Sequence, residues 1–137
     1  MTGIIIVTHG NFAPYLLEAC EHIIGVKENI KTIPIISKMS MNDIKENIKK
    51  ATDEMMQKCD SIIYFVDIPG GTPMNAVLGF AKDIEKSAVI CGVNMSMLIS
   101  AMNYRDNMEF STLVDKIISD GKRSVCEVKS ILLKGNK

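Results

Sequence analysis

Four short runs of β-branched and apolar residues, separated by stretches with helical spacing, restrict this chain's fold more than any other feature. The runs are Gly3–Thr8, Ile30–Ile36, Ser61–Val66 and Ser87–Val93. Each is nearly continuous in apolar residues rather than alternating, which is the pattern of central strands covered on both faces of a parallel sheet. Strands that alternate with helices build βαβ units. The expected fold class is therefore α/β: a mainly parallel sheet in the order 2-1-3-4 with helices on both faces.

The intervening segments carry helix start and stop signals. Asn11 is placed to cap a first helix that ends at Gly25, with Pro14 in its opening turn and Leu16, Leu17, Cys20, Ile23 and Ile24 as its apolar stripe. Ser40 and Asp43 have the spacing of a capping box, and Met41, Ile44, Ile48, Ala51 and Met55 form one face of the second helix. Thr72 and Pro73 read as a cap and first helical residue of a third helix that runs on through Val77 and Phe80. A fourth helix starts at Asn94, and a fifth starts at Ser111 and stops at Gly121. Lys122–Leu133 reads as a loosely patterned last strand.

A chain of 137 residues with 47% hydrophobic content can bury one core without staples, and no linker or repeat divides it, so one domain over residues 1–137 is expected. Sixteen Lys plus Arg balance sixteen Asp plus Glu, which removes the usual drive toward nucleic acid or an anionic membrane surface. Cys20, Cys59, Cys91 and Cys126 form neither a Cys-x-x-Cys pair nor a metal spacing, so they read as buried thiols in a reducing cytosol. No metal or cofactor is implied. The start, Met1-Thr2-Gly3-Ile4, lacks a secretory pattern, and every apolar run is far shorter than the ~20 residues of a spanning helix, so a cytoplasmic protein is expected. The ten methionines read as core filler.

In an open parallel sheet, ligands bind beyond the carboxyl ends of the strands, where successive connections leave to opposite faces. Those ends carry Thr8-His9-Gly10, Ser37, Asp67 with Pro69-Gly70-Gly71-Thr72-Pro73, and Gly92-Val93-Asn94. With strands one and three adjacent, His9 faces Asp67 across the switch point. An imidazole that donates one nitrogen to a carboxylate has its tautomer fixed and presents the other lone pair as a nucleophile or base. The helix after Asn11 and the Gly70-Gly71-Thr72 turn add backbone donors that suit an anion, so the constellation fits a phosphoryl group held transiently on His9. A strand-end His, an Asp before a glycine-rich turn, or Gly-Gly-Thr-Pro is ordinary structural grammar when it occurs alone. Their coincidence at facing strand ends is what points to function. Gly10, Gly71 and Thr72 are the candidate phosphoryl contacts; Thr8, Asn11, Asn75 and Asn94 are further candidates that capping explains as well. His22, beside Glu18 and Glu21 on the first helix, reads as a surface residue.

Three segments, Ile-Ile-Val-Thr-His9-Gly10, Asp67-Ile-Pro-Gly70-Gly71-Thr72-Pro73-Met-Asn75-Ala and Gly92-Val-Asn94-Met-Ser-Met-Leu, resemble the IIA domain of the mannose/fructose/sorbose class of the bacterial sugar phosphotransferase system. The resemblance covers nearly the whole chain in motif order and spacing. It implies a phosphotransferase component in which His9 carries the phosphoryl group and Asp67 orients it. The implied partners are the phosphocarrier HPr as donor, a IIB component as acceptor and, through these, a IIC/IID membrane permease. It also implies a homodimer in which the C-terminal strand, here Ser124–Ile131, joins the partner's sheet. Because the chain stops before any linker or IIB domain, a free-standing subunit is expected. Met95-Ser96 stands where the family commonly has Leu-Pro, and Pro69 where it often has an aromatic residue; both touch on partner preference. Which sugar is served is not legible, because the permease sets it.

Two other readings share these residues. A phosphotransferase subunit serving dihydroxyacetone kinase is close kin, although Gly-Gly-Thr-Pro fits the sugar class better. A receiver-like module would be phosphorylated on Asp67, but receivers place acidic Mg²⁺ ligands after the first strand, where this chain has Thr8 and His9. A nucleotide- or flavin-binding module lacks its fingerprint, since neither Gly-x-Gly-x-x-Gly nor a Walker lysine is present.

Overall fold

A computed structural model describes residues 1–135 of the chain. Four strands, β1 (Thr2–His9), β2 (Ile30–Ile35), β3 (Ser61–Val66) and β4 (Ser87–Cys91), form one sheet in the order β2-β1-β3-β4. Every neighbouring pair is parallel. Six helices accompany them: α1 (Phe12–Ile24), α2 (Met41–Met56), α3 (Thr72–Ala81), α4 (Met95–Tyr104), α5 (Phe110–Arg123) and α6 (Val128–Gly135). The expected fold class and strand order are both present.

Side chains alternate across a strand, so β1 feeds two cores. Ile4 and Ile6 join Ile63 and Phe65 against α1, α4 and α5, while Ile5 and Val7 join Tyr64 and Val66 against α2 and α3. Only β1 and β3 are buried along their whole length, His9 excepted. The continuous apolar runs at β2 and β4 belong to edge strands, not to doubly covered ones as the pattern predicted, and β2 accommodates Pro34 for that reason. Ser40 and Asp43 form the expected capping box at the start of α2.

The C-terminal expectation fails. Instead of a last strand over Lys122–Leu133, α5 runs through Gly121 to Arg123, and Val128–Gly135 are helical. Gly121 is not a stop: a Cβ there would lie 2.5 Å from Met97 Cγ, so glycine is what lets α5 lie close against α4. Among the described residues, the segment from 124 to 135 adds no strand to the sheet. Its backbone closes on itself, with the Glu127 carboxylate accepting from the Ser130 amide at 2.7 Å, and Val128, Ile131, Leu132 and Leu133 remain exposed. The strand that would be exchanged with a partner is therefore a helix in this chain.

The thiols also divide. Cys20 and Cys59 are buried, and burial pushes both thiols above their ordinary range. Cys91 is half-buried and Cys126 is exposed, the latter in the short, exposed segment between α5 and α6. Among the described residues no helix is long and apolar enough to cross a membrane.

Candidate functional site

The sheet's connections leave in opposite directions at its centre: α1 follows β1 on one face and α3 follows β3 on the other. Parallel register pairs Val7 with Val66, so the next residues of both chains, Thr8-His9 and Asp67-Ile68, emerge side by side into the crevice between the two helices.

Asp67 binds His9 twice through one oxygen. Its Oδ2 accepts from the His9 backbone amide at 3.0 Å and from ring Nδ1 at 2.8 Å, while Oδ1 accepts from the Ile68 amide at 3.0 Å. A ring held through its own residue's amide and through Nδ1 has that nitrogen anchored and its tautomer set. With the proton on Nδ1, the Nε2 lone pair faces outward. The His9 side chain is 51% exposed and that of Asp67 15%, so the carboxylate is sheltered while the imidazole is open to solvent. Burial pushes the Asp67 carboxyl up, but the His9 amide, the His9 ring and the Ile68 amide together hold it below the usual carboxylate range. The carboxylate is thus ionised wherever the imidazole needs it.

Glycines shape the rest of the crevice. Gly10 turns at φ 56° and donates its amide to the Ile35 carbonyl at 2.8 Å, and Gly70 turns at φ 80°. Both conformations belong to the left-handed region that a side chain disfavours. Gly71 follows with an extended backbone and is the N-cap of α3; a Cβ on it would lie 3.2 Å from His9 Cε1. Thr72, read from the sequence as the cap, is instead the first helical residue, and Pro73 behind it has no amide to offer. The start of α3 is therefore next to the imidazole, with Thr72 at its tip.

The other candidates have structural employment or none. Thr8 is buried, and its Oγ1 accepts from the Ala13 amide at 2.8 Å, so Thr8 caps α1 in the place expected for Asn11. Asn11 has φ −92° and ψ 18°, not the extended conformation that aims a cap side chain at the first turn. Asn94 caps α4, accepting from the Met97 amide at 3.0 Å. Asn11 and Asn75 are exposed, and neither side chain makes a hydrogen bond among the described residues. His22 is exposed on α1, 4.0 Å from Glu18, as expected. Sequence reasoning missed the Ile68 amide on Asp67 and the contact of Gly71 with the His9 ring. A backbone donor leaves no mark in a sequence, whereas the paired glycines before a helix were the available sign of the contact. Among the described residues no group of three or more His, Cys, Asp or Glu side chains could hold a metal ion.

Fold and site together describe a doubly wound α/β protein with one histidine–carboxylate couple at its switch point. Residues 3–118 match the family model EIIA-man, the PTS system fructose IIA component. The chain is 27% identical over 128 residues to the fructose-specific EIIA component of Bacillus subtilis, covering 92% of this chain and 87% of that protein. It is 30% identical to the mannose-specific EIIAB component of Escherichia coli K12 over 93% of this chain, spanning 40% of that longer protein. Among solved structures, component EIIA from Streptococcus agalactiae superposes with TM-score 0.83 at 32% identity, over 95% of this chain and 99% of that one. The IIA protein associated with the fucose utilization operon of Streptococcus pneumoniae shares the fold, with TM-score 0.88 at 22% identity and 96% of each chain covered. The chain belongs to the mannose/fructose class of IIA components of the sugar phosphotransferase system. Such components serve the phosphorylation cascade of sugar uptake.

Proposed function

We propose that this protein accepts a phosphoryl group on His9 Nε2 from phosphorylated HPr and passes it to a IIB component. The observation that carries this reading is the double grip of Asp67 Oδ2 on the His9 amide and Nδ1, which leaves Nε2 exposed as a lone pair. In the transfer, the P–N bond to the donor imidazole breaks as the P–Nε2 bond forms, and the donor ring leaves with the electron pair. The His9 ring gains positive character on phosphorylation, and its Nδ1 proton stays on the hydrogen bond to Asp67, whose negative charge stabilises that product. Gly71 and Thr72 offer backbone amides and a hydroxyl to the incoming oxygens, Gly10 leaves room beside them, its own amide being held by Ile35, and alignment by two docked proteins supplies the rest. Bonds broken and formed are of one kind, so the step runs readily in both directions.

Support for Asp67 as the orienting group rather than the acceptor comes from its oxygens, all of which receive donors from within the chain. A sugar rather than dihydroxyacetone kinase as the end of the relay is supported by the fructose and mannose components among the relatives. The exposed Val128, Ile131, Leu132 and Leu133 support a homodimer, and the lack of a spanning helix among the described residues supports a cytoplasmic carrier that reaches the permease only through its partners. The test is incubation of the purified protein with phosphoenolpyruvate, enzyme I and HPr, followed by intact-mass and peptide analysis. One added phosphate is expected, on His9, stable to alkali and lost in acid. Hydroxylamine-labile label on Asp67 would overturn the assignment.

A further inference from the structure

We propose that Gly71 is a positioning residue for the transfer: because it carries no side chain, the His9 imidazole keeps its place beside the start of α3 with the Nε2 side of the ring clear for the phosphoryl group. The inference builds on the reading of His9 as the phosphoryl acceptor.

Asp67 holds the ring from one side, through Nδ1 and the His9 amide, and leaves the opposite side open to solvent. Two hydrogen bonds to a single oxygen fix where Nδ1 is, but they leave the ring free to rock about that anchor. A third contact is needed to set its tilt. Gly71 bounds that tilt near Cε1, the carbon between the two nitrogens: a Cβ at this position would stand 3.2 Å from that atom, tighter than side-chain packing normally permits. The same Cβ would be in ordinary contact with Ile68 and Pro73 at 3.6 Å, so it could not turn away from the ring without leaving its backbone. The ring would have to yield, since its far side is open. Yielding means moving about the Asp67 anchor by a few tenths of an ångström, enough to bend the Nδ1 hydrogen bond and re-aim Nε2.

Glycine is not required here by backbone conformation. Gly71 has φ −88° and ψ 177°, extended geometry that alanine adopts freely. It is also the N-cap of α3 without a side-chain bond to lose. The contact with His9 is thus the feature that excludes a side chain, and Gly71→Ala isolates it. Gly79→Ala is the matching control, because Gly79 lies on the same helix, is exposed and has nothing within 4 Å of its would-be Cβ.

The experiment compares wild type, Gly71→Ala and Gly79→Ala by the rate of phosphorylation from phosphorylated HPr, by thermal midpoint and by ¹⁵N chemical shifts of the His9 ring. Gly71→Ala is expected to phosphorylate about tenfold more slowly, in line with the steep dependence of transfer on alignment. Its thermal midpoint should stay near that of wild type, while the ring nitrogens shift from one tautomer with protonated Nδ1 toward the mixture of a free imidazole. Gly79→Ala should match wild type in rate and ring shifts. A Gly71→Ala protein with wild-type rate and ring shifts overturns the proposal and leaves His9 as acceptor untouched. A slow variant with wild-type ring shifts also overturns it, placing the effect on docking or on phosphoryl contacts. Failure of the wild type to take label on His9 removes the acceptor reading itself.

Discussion

The two ends of the sheet treat polar groups in opposite ways. At the carboxyl end, His9 projects half-exposed with one nitrogen free, amid glycine turns. At the amino end, beneath the exposed Met1–Asp60 ion pair, polar groups are enclosed: the Thr2 and Ser61 hydroxyls bond each other at 2.8 Å, and the Arg105 guanidinium, 4% exposed, is turned inward. Its Nη1 donates to the carbonyls of Asn29 at 3.2 Å and Thr2 at 3.4 Å, and its Nη2 to that of Glu28. The guanidinium thus ties β1 to the loop that enters β2. A buried cation whose two Nη groups are held by three backbone carbonyls, with Nε alone left without a partner among the described residues, is a fastening; an exposed imidazole bonded at one nitrogen is open to another molecule. The difference lies in whether solvent or another protein can reach the polar atoms.

The sharpest break of this contrast is His9→Ala. Label from phosphorylated HPr should vanish entirely in an intact-mass assay, while circular dichroism and the thermal midpoint stay near wild type, because the ring supports nothing but the site. Next is Asp67→Asn, which retains the shape but cannot accept both His9 donors as an anion. Initial phosphorylation rates should fall by about a hundred- to a thousandfold, with label still reaching His9 after long incubation, as quench-flow followed by peptide mapping would show. Retention of the full rate would remove the orienting role.

At the other end the effect should change character. Arg105→Ala strands three carbonyls, and urea unfolding should show a loss of about 2–4 kcal/mol, whereas the transfer rate per folded molecule should not move. A variant with normal stability but slow transfer would erase the distinction between the ends. The smallest effect belongs to Asp120 on α5. The Ser100 hydroxyl first, then Arg123 and Lys116, hold its carboxyl down to about 2 from an ordinary 3.8. A depressed folded value contributes stability above the unfolded one and loses it as pH falls through the folded one. Asp120→Asn should therefore lower stability by under about 1 kcal/mol at pH 7, with the difference from wild type closing as pH falls from about 4 to about 2. Urea midpoints across that interval measure it.

The sequence was legible where burial disciplines it. β1 and β3 carry unbroken apolar runs because both faces of each are covered, and from their adjacency the meeting of His9 and Asp67 follows. Reading failed where several residues compete for one local task. Thr8 and Asn11 both can cap α1, and the turn at Gly10 decides between them. Gly71 and Thr72 both can begin α3, and only the path of the chain past His9 separates them. Gly121 looks like a stop because a close approach between helices and a left-handed turn call for the same residue. Arg105 left one faint sign: it continues the inward stripe of Leu98, Ala101 and Met102 at helical spacing, where a cation is unexpected. Among the described residues from Val125 to Lys134 none is buried, so no periodicity was imposed for a reader to find.

Pro34 gives the sheet a polarity that the site does not use. It stands in edge strand β2 without an amide hydrogen to donate, whereas the opposite margin, Ser87–Cys91, contains no proline. A molecule that rejects additional strands on one flank and tolerates them on the other can close into a pair, but it cannot stack sheet upon sheet into a growing filament.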